Sequence, residues 1–469
     1  MPCTLYVLPC NLDLLKPVRK MTQHIPVFLM LVLLVLSIPV SAQDTPYGAL
    51  IDEADAEALA PLNDYLQQAA TSNSQLQAQY QAVVAQSHQR AQVGALPDPE
   101  VNLAFFANPP NQEGSLPGRF AVSAMQMFPW FGTRTARRTA ADHRTRAQEQ
   151  QFEAAWLDLM RDVQTAYFDY YRAQRTVELT EQQIELLDDL EPIIRTRYET
   201  GRASGGQVDL LRIEMEQEEL RSELETLRDE RAPIKARFNA LLDRAPDASI
   251  EIPEGLPDTD LQLADRTVPP DTDALIDIVL NRNPTLDRFD AQEDAFRADA
   301  EVARHEGYPR IGLGVEVMGR DFMQMRTMDR MNEGVALMAT IQVPLFRAPY
   351  RARQQQAHAE RRRVQQERQQ LARDLRADVE REVQAYQAAM RRVTLHREEL
   401  LPRSAQALQI LQEDYTAGRT PFDEIIRMQR QMLDYALAIV EAQTDQHQAR
   451  VEIETLARSP DRPAPDFTP

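Results

Sequence analysis

Cysteine is nearly missing from this 469-residue chain: only Cys3 and Cys10 occur, and both precede the apolar run from Ile25 to Ile38. A chain cut behind that run has no disulfide to stabilise it. Long hydrophobic runs are missing after it, so no later segment suits a transmembrane helix. Catalytic motifs are missing as well, with no Gly-rich phosphate loop, zinc spacing or nucleophile–base pattern. The seven histidines, His24, His88, His143, His305, His358, His396 and His447, fall at no metal-ligand spacing. No cofactor is expected, and nothing recommends an enzyme. There is no basic surplus either. A net charge of −20 argues against nucleic acid as a partner, because phosphate binding needs basic surface.

The apolar run Ile25–Ile38 follows Arg19-Lys20 and precedes Val40-Ser41-Ala42. It is too short to span a bilayer comfortably, and the small residues behind it form a cleavage pattern. Residues 1–42 therefore read as an extension plus signal peptide, cleaved after Ala42, with the start at Met1 or Met21. An uncleaved signal anchor is the alternative. No cysteine follows the run, so lipid attachment there is not expected.

The remainder is written twice. Ser72-Asn73-Ser74-Gln75-Leu76 corresponds to Arg282-Asn283-Pro284-Thr285-Leu286, and Pro99-Glu100-Val101-Asn102-Leu103 to Pro309-Arg310-Ile311-Gly312-Leu313. Phe128-Pro129-Trp130-Phe131 corresponds to Val343-Pro344-Leu345-Phe346, and Tyr198-Glu199-Thr200-Gly201-Arg202 to Tyr415-Thr416-Ala417-Gly418-Arg419. Such self-similarity marks a duplication. The first repeat covers about 43–243, the second about 272–458. A link rich in Pro and Asp spans about 244–271, and a Pro-rich tail covers 459–469.

Between Gly132 and Tyr198 there is no glycine, and Pro192 is the lone proline. Phe152, Trp156, Leu159, Val163, Ala166, Tyr170, Ala173, Val177, Thr180, Ile184 and Leu187 recur at spacings of four and three. That heptad seam predicts a helix packed against another with left-handed supercoiling. Val379, Val383, Tyr386, Met390, Val393 and Leu400 repeat it on a helix from about Phe346 to Tyr415. Each helix turns at a glycine and returns, from about Gln207 to Leu242 and from Phe422 to Ala457, with Ile234, Phe238 and Leu241 on the first return.

Strands interrupt this helical pattern. Val101, Leu103 and Phe105 alternate with Asn102, Ala104 and Phe106, and a second run covers Phe120–Phe128. In the second copy Ile311, Leu313, Val315 and Val317 alternate with Gly312, Gly314, Glu316 and Met318. Val335, Leu337, Ala339, Ile341 and Val343 alternate with Ala336, Met338, Thr340 and Gln342. Runs of about nine to eleven residues with one apolar face suit tilted membrane strands. Four strands cannot close a barrel, and lipid tolerates no open edge, so several copies must share one. The alternative is that both hairpins cover a soluble helical bundle.

From Leu62 to Leu456 this order of elements resembles the TolC family of outer-membrane efflux proteins. The matching residues are Met127-Phe128-Pro129-Trp130-Phe131-Gly132, Val343-Pro344-Leu345-Phe346, Gly201-Arg202-Ala203-Ser204 and Gly418-Arg419-Thr420-Pro421. The resemblance implies a mainly α fold with membrane β: a duplicated unit of long coiled-coil helices plus β-hairpins. Three copies would form a trimeric 12-stranded β-barrel continuous with a periplasmic α-helical tunnel. It implies an outer-membrane location and an exit channel for a tripartite pump. The partners would be two further copies, a periplasmic adaptor, an inner-membrane RND-type transporter and outer-membrane lipid. The exit duct of a type I protein secretion system is the alternative within the class; a secreted coiled coil or adhesin is the alternative outside it.

The resemblance assigns adaptor docking to the tips, Gly201, Arg202, Ala203, Ser204, Gly418, Arg419, Thr420 and Pro421. It also implies acidic residues six and nine positions past the second turn glycine that narrow the closed end. Here those are Glu424 and Arg427, the latter a reversal of charge, with Gln207 on the first return. The expectation is that Glu424 lines the constriction while Arg427 ties neighbouring helices; solvent-facing ion pairs are the plain alternative.

Two arginine clusters follow the hairpins. Arg134, Arg137, Arg138, Arg144 and Arg146 follow the first, and Arg347, Arg351, Arg353, Arg361, Arg362 and Arg363 the second. They suit either phospholipid phosphates or a solvated face with partners such as Glu360 and Glu367. Finally, six methionines lie between Met318 and Met338. Met323, Met325, Met328 and Met331 could present thioethers to Cu(I) or Ag(I), or simply fill a loop.

Overall fold

The computed structural model describes residues 59–106, 119–199, 206–257, 262–263, 266–267, 271–319 and 334–457. The expected signal segment, the tail and the loop of each long β-hairpin lie outside them. In chain order the elements are α1 (Ala60–Ser72), α2 (Ser74–Gly94), β1 (Glu100–Phe106), β2 (Arg119–Phe128), α3 (Thr133–Glu199) and α4 (Gly206–Leu241). A two-rung hairpin, β3 (Gln262–Leu263) with β4 (Arg266–Thr267), lies in the link. The pattern then returns as α5 (Thr272–Arg282), α6 (Pro284–Glu306), β5 (Arg310–Gly319), β6 (Gly334–Gln342) and α7 (Ala348–Thr394). It continues through a π-helical turn (Leu395–Leu400) to α8 (Leu401–Thr416) and α9 (Phe422–Ala457).

The repeated Asn explains the paired short helices. Asn73 Oδ1 accepts from the Leu76 N–H at 2.9 Å, and Asn283 Oδ1 from the Thr285 N–H at 2.9 Å. Each asparagine ends one helix and caps the next, a contribution of about 1 kcal/mol per cap. Leu76 and Leu286, three residues on, are both buried.

At 67 residues α3 extends about 100 Å. Its expected seam is buried, with Trp156 and Ala173 half-buried. Leu157, Met160, Tyr167, Phe168 and Tyr171 are buried too, because α3 packs on α1, α2, α4, α6 and α9 together. Pro192 passes without a break; the Thr196 hydroxyl donates to its carbonyl at 2.8 Å. The second seam departs from its expected register. Val379, Val383, Tyr386 and Val393 are buried, but Met390 is 43% exposed and Ala389 takes the inward place. The π-helical turn follows because Pro402 has no N–H for the Glu398 carbonyl, and the Leu401 N–H reaches back to His396 O.

Among the described residues two apolar clusters stand out in the bundle. One joins Leu275 and Val279 of α5 and Leu286 of α6 to Val379, Val383 and Tyr386 of α7 and Ile453 of α9. The other joins Ile184, Leu187 and Ile194 of α3 to Ile213 and Leu220 of α4 and to Phe422 and Ile425 of α9. Between them the link crosses the middle of α3. Asp243 adopts φ 56, and the Arg244 N–H bonds Asn239 O at 2.9 Å, which closes α4. Tyr167 donates to Glu251 O at 3.2 Å and the Glu251 N–H donates to Tyr65 at 2.9 Å. Burial pushes the Tyr167 phenol far above its ordinary range. Leu256 is buried, and Gln443 and His447 of α9 bond the Leu256 and Pro257 carbonyls.

The four long strands form one antiparallel sheet in the order β1-β2-β5-β6. The halves therefore meet at β2 and β5, with Val122 opposite Val317 and Met127 opposite Gly312. Among the described residues no helix is long and apolar enough to cross a membrane.

Candidate transmembrane wall and helical tip

Strand alternation sorts the sheet into two faces. Cross-strand rows on one face read Val101–Ala124–Val315–Leu337 and Leu103–Val122–Val317–Val335, followed by Phe128–Ile311–Ile341. On the other face they read Asn102–Ser123–Glu316–Ala336 and Ala104–Ala121–Met318–Gly334. The first face is apolar yet open: Leu103 is 65% exposed, Val335 65% and Leu337 89%. Exposed apolar area of this extent marks a surface meant for something other than water. Among the described residues β1 and β6 each have a strand neighbour on one side only.

At one end of the sheet Phe131, Leu345 and Phe346 are more than four-fifths exposed or nearly so, at 81%, 80% and 84%. Trp130 stacks on Tyr308 at 5.6 Å. Gly132, at φ +85, makes the strand-to-helix turn, and a Cβ there would lie 3.1 Å from the His305 ring.

At the far end of the helices α8 closes on Gly418, whose φ of +73 only glycine takes freely. Its N–H donates to Tyr415 O at 3.0 Å and the Arg419 N–H to Asp414 O at 2.9 Å, a Schellman pair. Phe422, 1% exposed, anchors the returning helix beneath that turn, 5.5 Å from the Tyr415 ring. Tyr415 in turn donates to Asp209 of α4 at 3.3 Å. Arg212 of α4 pairs with Asp423 at 3.1 Å. Arg430 reaches Glu216 and Glu219 of α4, each at 3.0 Å. Burial raises the Glu216 carboxyl's pKa against the opposing pull of Arg430.

A helical hairpin, a two-strand insertion and a second copy of both make a combination that can be compared with known proteins. The family model for "Outer membrane efflux protein" matches residues 65–242 and 275–457, most of the chain and both halves. The chain belongs to the outer membrane efflux protein family. No curated protein matches it significantly in sequence. Its fold is shared by solved outer-membrane proteins. The outer-membrane channel OprN superposes with a TM-score of 0.71 at 17% identity, over 87% of this chain and 93% of OprN. VceC from Vibrio cholerae gives 0.71 at 18% identity, over 86% and 98%. The open state of the MtrE channel from Neisseria gonorrhoeae gives 0.69 at 16%, over 85% and 88%.

The residues expected to serve this efflux protein fall in three groups. Gly201, Arg202, Ala203 and Ser204 of the first tip, and the loop methionines Met323, Met325, Met328 and Met331, lie outside the described residues. Gly418, Arg419, Thr420 and Pro421 form the second turn, where the Arg419 side chain folds back on Asp414, with Nε at 2.9 Å. Gln207, Glu424 and Arg427 lie just past the turns, and Gln207 is exposed. Arg427 pairs with Glu424 at 3.1 Å and with Asp423, both on its own helix. Near the tip, Arg212 and Arg430, which sequence reasoning passed over, tie the returning helices α4 and α9 together instead. Their acidic partners on another helix are invisible without the packing.

Five arginines of the two clusters pair with carboxylates. Arg137 and Arg353 share Glu306 at 2.7 and 2.9 Å, Arg144 meets Asp299, Arg361 meets Glu293, and Arg363 meets Glu360 and Glu367. Desolvation works against Glu293 ionising, but hydrogen bonds from Arg361 and Gln365 outweigh it and lower its pKa. Four of these arginines, Arg137, Arg144, Arg353 and Arg361, therefore tie α6 to α3 and α7.

Proposed function

We propose that three copies of this chain close a twelve-stranded barrel in the outer membrane, continuous with a helical tunnel through the periplasm. The barrel and tunnel act as a passive exit duct. Cargo reaches it from an inner-membrane RND-type transporter through a periplasmic adaptor. The observation that carries this reading is the sheet: four antiparallel strands, an exposed apolar face and two strands paired on one side only. Joining β6 of one copy to β1 of the next keeps every strand antiparallel and leaves no edge in lipid. Residues 1–42 direct export as a cleaved signal peptide. The tips Gly201–Ser204 and Gly418–Pro421 meet the adaptor, and Gln207, Glu424 and Arg427 stand at the tunnel's narrow end.

The mass of the detergent-purified particle tests the assembly. Three chains per particle, dissociating on heating, support it; a monomer soluble without detergent overturns it. For the constriction, Glu424→Ala with Arg427→Ala should enlarge single-channel conductance. Unchanged conductance removes that assignment and leaves the duct standing.

A further inference from the structure

The inner face of the sheet carries methionines where small or polar residues would serve a water-filled lumen. Met125 and Met127 lie two apart on β2, and Met338 lies on β6. Between them β5 presents Gly312 and Gly314. The register reads Met125–Gly314–Met338 in one row and Met127–Gly312–Thr340 in the next. All three methionines are half-buried, unlike their outward neighbours Leu337 and Ile341.

The glycines make the space. A Cβ on Gly312 would stand 2.6 Å from Met127 Sδ and 3.3 Å from Met125 Sδ. Both sulfurs therefore crowd one point, and an alanine there would displace Met127 Sδ and press on Met125 Sδ. Gly314 is held as glycine by the backbone, since its Cβ would lie 2.7 Å from Ala124 O. The result is two thioethers of β2 gathered over Gly312, with Met338 of β6 in the adjoining row across Gly314. Glu316, next along the same face of β5, supplies negative charge.

From this geometry we infer that Met125, Met127 and Met338 form a binding site for a soft monovalent d10 cation, Cu(I) or Ag(I), on the inner wall of the sheet. Thioether sulfur is neutral, polarisable and a poor ligand for Na⁺, K⁺, Mg²⁺ or Ca²⁺, so such a set selects soft ions from a salt-rich fluid. Methionine ligands need not be deprotonated, so binding holds across the pH range in which carboxylate and imidazole sites lose metal. The site rests on the duct reading for its access to a lumen, but not for its ligands.

The experiment is a titration of the full-length protein in detergent with silver nitrate in chloride-free buffer, read by NMR of ¹³C-methyl-labelled methionine. Methyl signals are assigned by Met→Leu substitution, which keeps volume and removes sulfur. The signals of Met125, Met127 and Met338 should shift together and saturate. Combined Met125→Leu, Met127→Leu and Met338→Leu should abolish that saturable component. Gly312→Ala, which displaces a sulfur without removing one, should weaken it by about 10-fold or more. Shifts confined to the loop methionines Met323, Met325, Met328 and Met331, or silver affinity unchanged in the triple variant, would overturn the site. A conducting trimer with unmoved signals refutes the site alone. A protein that binds silver here but never conducts refutes the duct alone.

Discussion

Leu337→Arg tests the division of the sheet into two faces most sharply. Leu337 is the fourth of nine residues in β6, is 89% exposed, and sits in the row Val101–Ala124–Val315–Leu337. An arginine on the lipid face of a barrel costs about 2–4 kcal/mol near the bilayer midplane. Three copies would bring the burden on a trimer to about 6–12 kcal/mol, comparable to the whole stability of an ordinary domain. The adjacent Ala336 faces the other way and pairs directly with Glu316. Ala336→Arg therefore gains an opposite charge across the strands and should cost less than about 1 kcal/mol. The assay is refolding into lipid vesicles against urea, together with the heat stability of the particle on gels. Leu337→Arg should fail to insert or shift the midpoint strongly, with Ala336→Arg near wild type. Equal tolerance of the two, or the reverse order, would refute the assignment of faces.

Other outcomes follow from the same geometry. Gly418→Ala should destabilise the tip by about 1 kcal/mol through its positive φ alone, and Gly418→Asn by less, seen as faster amide exchange near Tyr415. Glu316→Gln removes the charge that faces Ser123 on the inner face and should move the reversal potential away from cation selectivity; an unmoved potential places Glu316 outside the pore. Glu153 has its carboxyl pKa raised by burial and by Asp287 nearby, so its contribution is favourable at acid pH and is lost as pH rises through the raised value. Glu153→Gln should accordingly raise the melting temperature at pH 7, by no more than about 1 kcal/mol in stability, with the gain fading on acidification.

Much of this architecture was legible in the sequence because its periods are simple. Alternation gave the two faces of β5 and β6 residue by residue, and the repeated Gly located the second tip turn, while the Asn73 and Asn283 helix breaks were visible only as repeat landmarks. What escaped depends on contacts between distant segments. The exchange of Met390 for Ala389 is local, since Val393 returns to the expected place, and a strict four-three heptad spacing does not register it. The Arg212–Asp423 and Arg430–Glu216 ties join residues more than two hundred positions apart. The Met–Gly arrangement needs the register of β2 against β5, which no local pattern encodes.

The central claim is that this chain builds a water-filled passage through a membrane, and single-channel recording of the purified protein in a planar bilayer tests it most directly. The account predicts a small, long-lived, cation-selective conductance that disappears when the particle is heated into monomers. A protein that stays soluble without detergent and adds no conductance would contradict it.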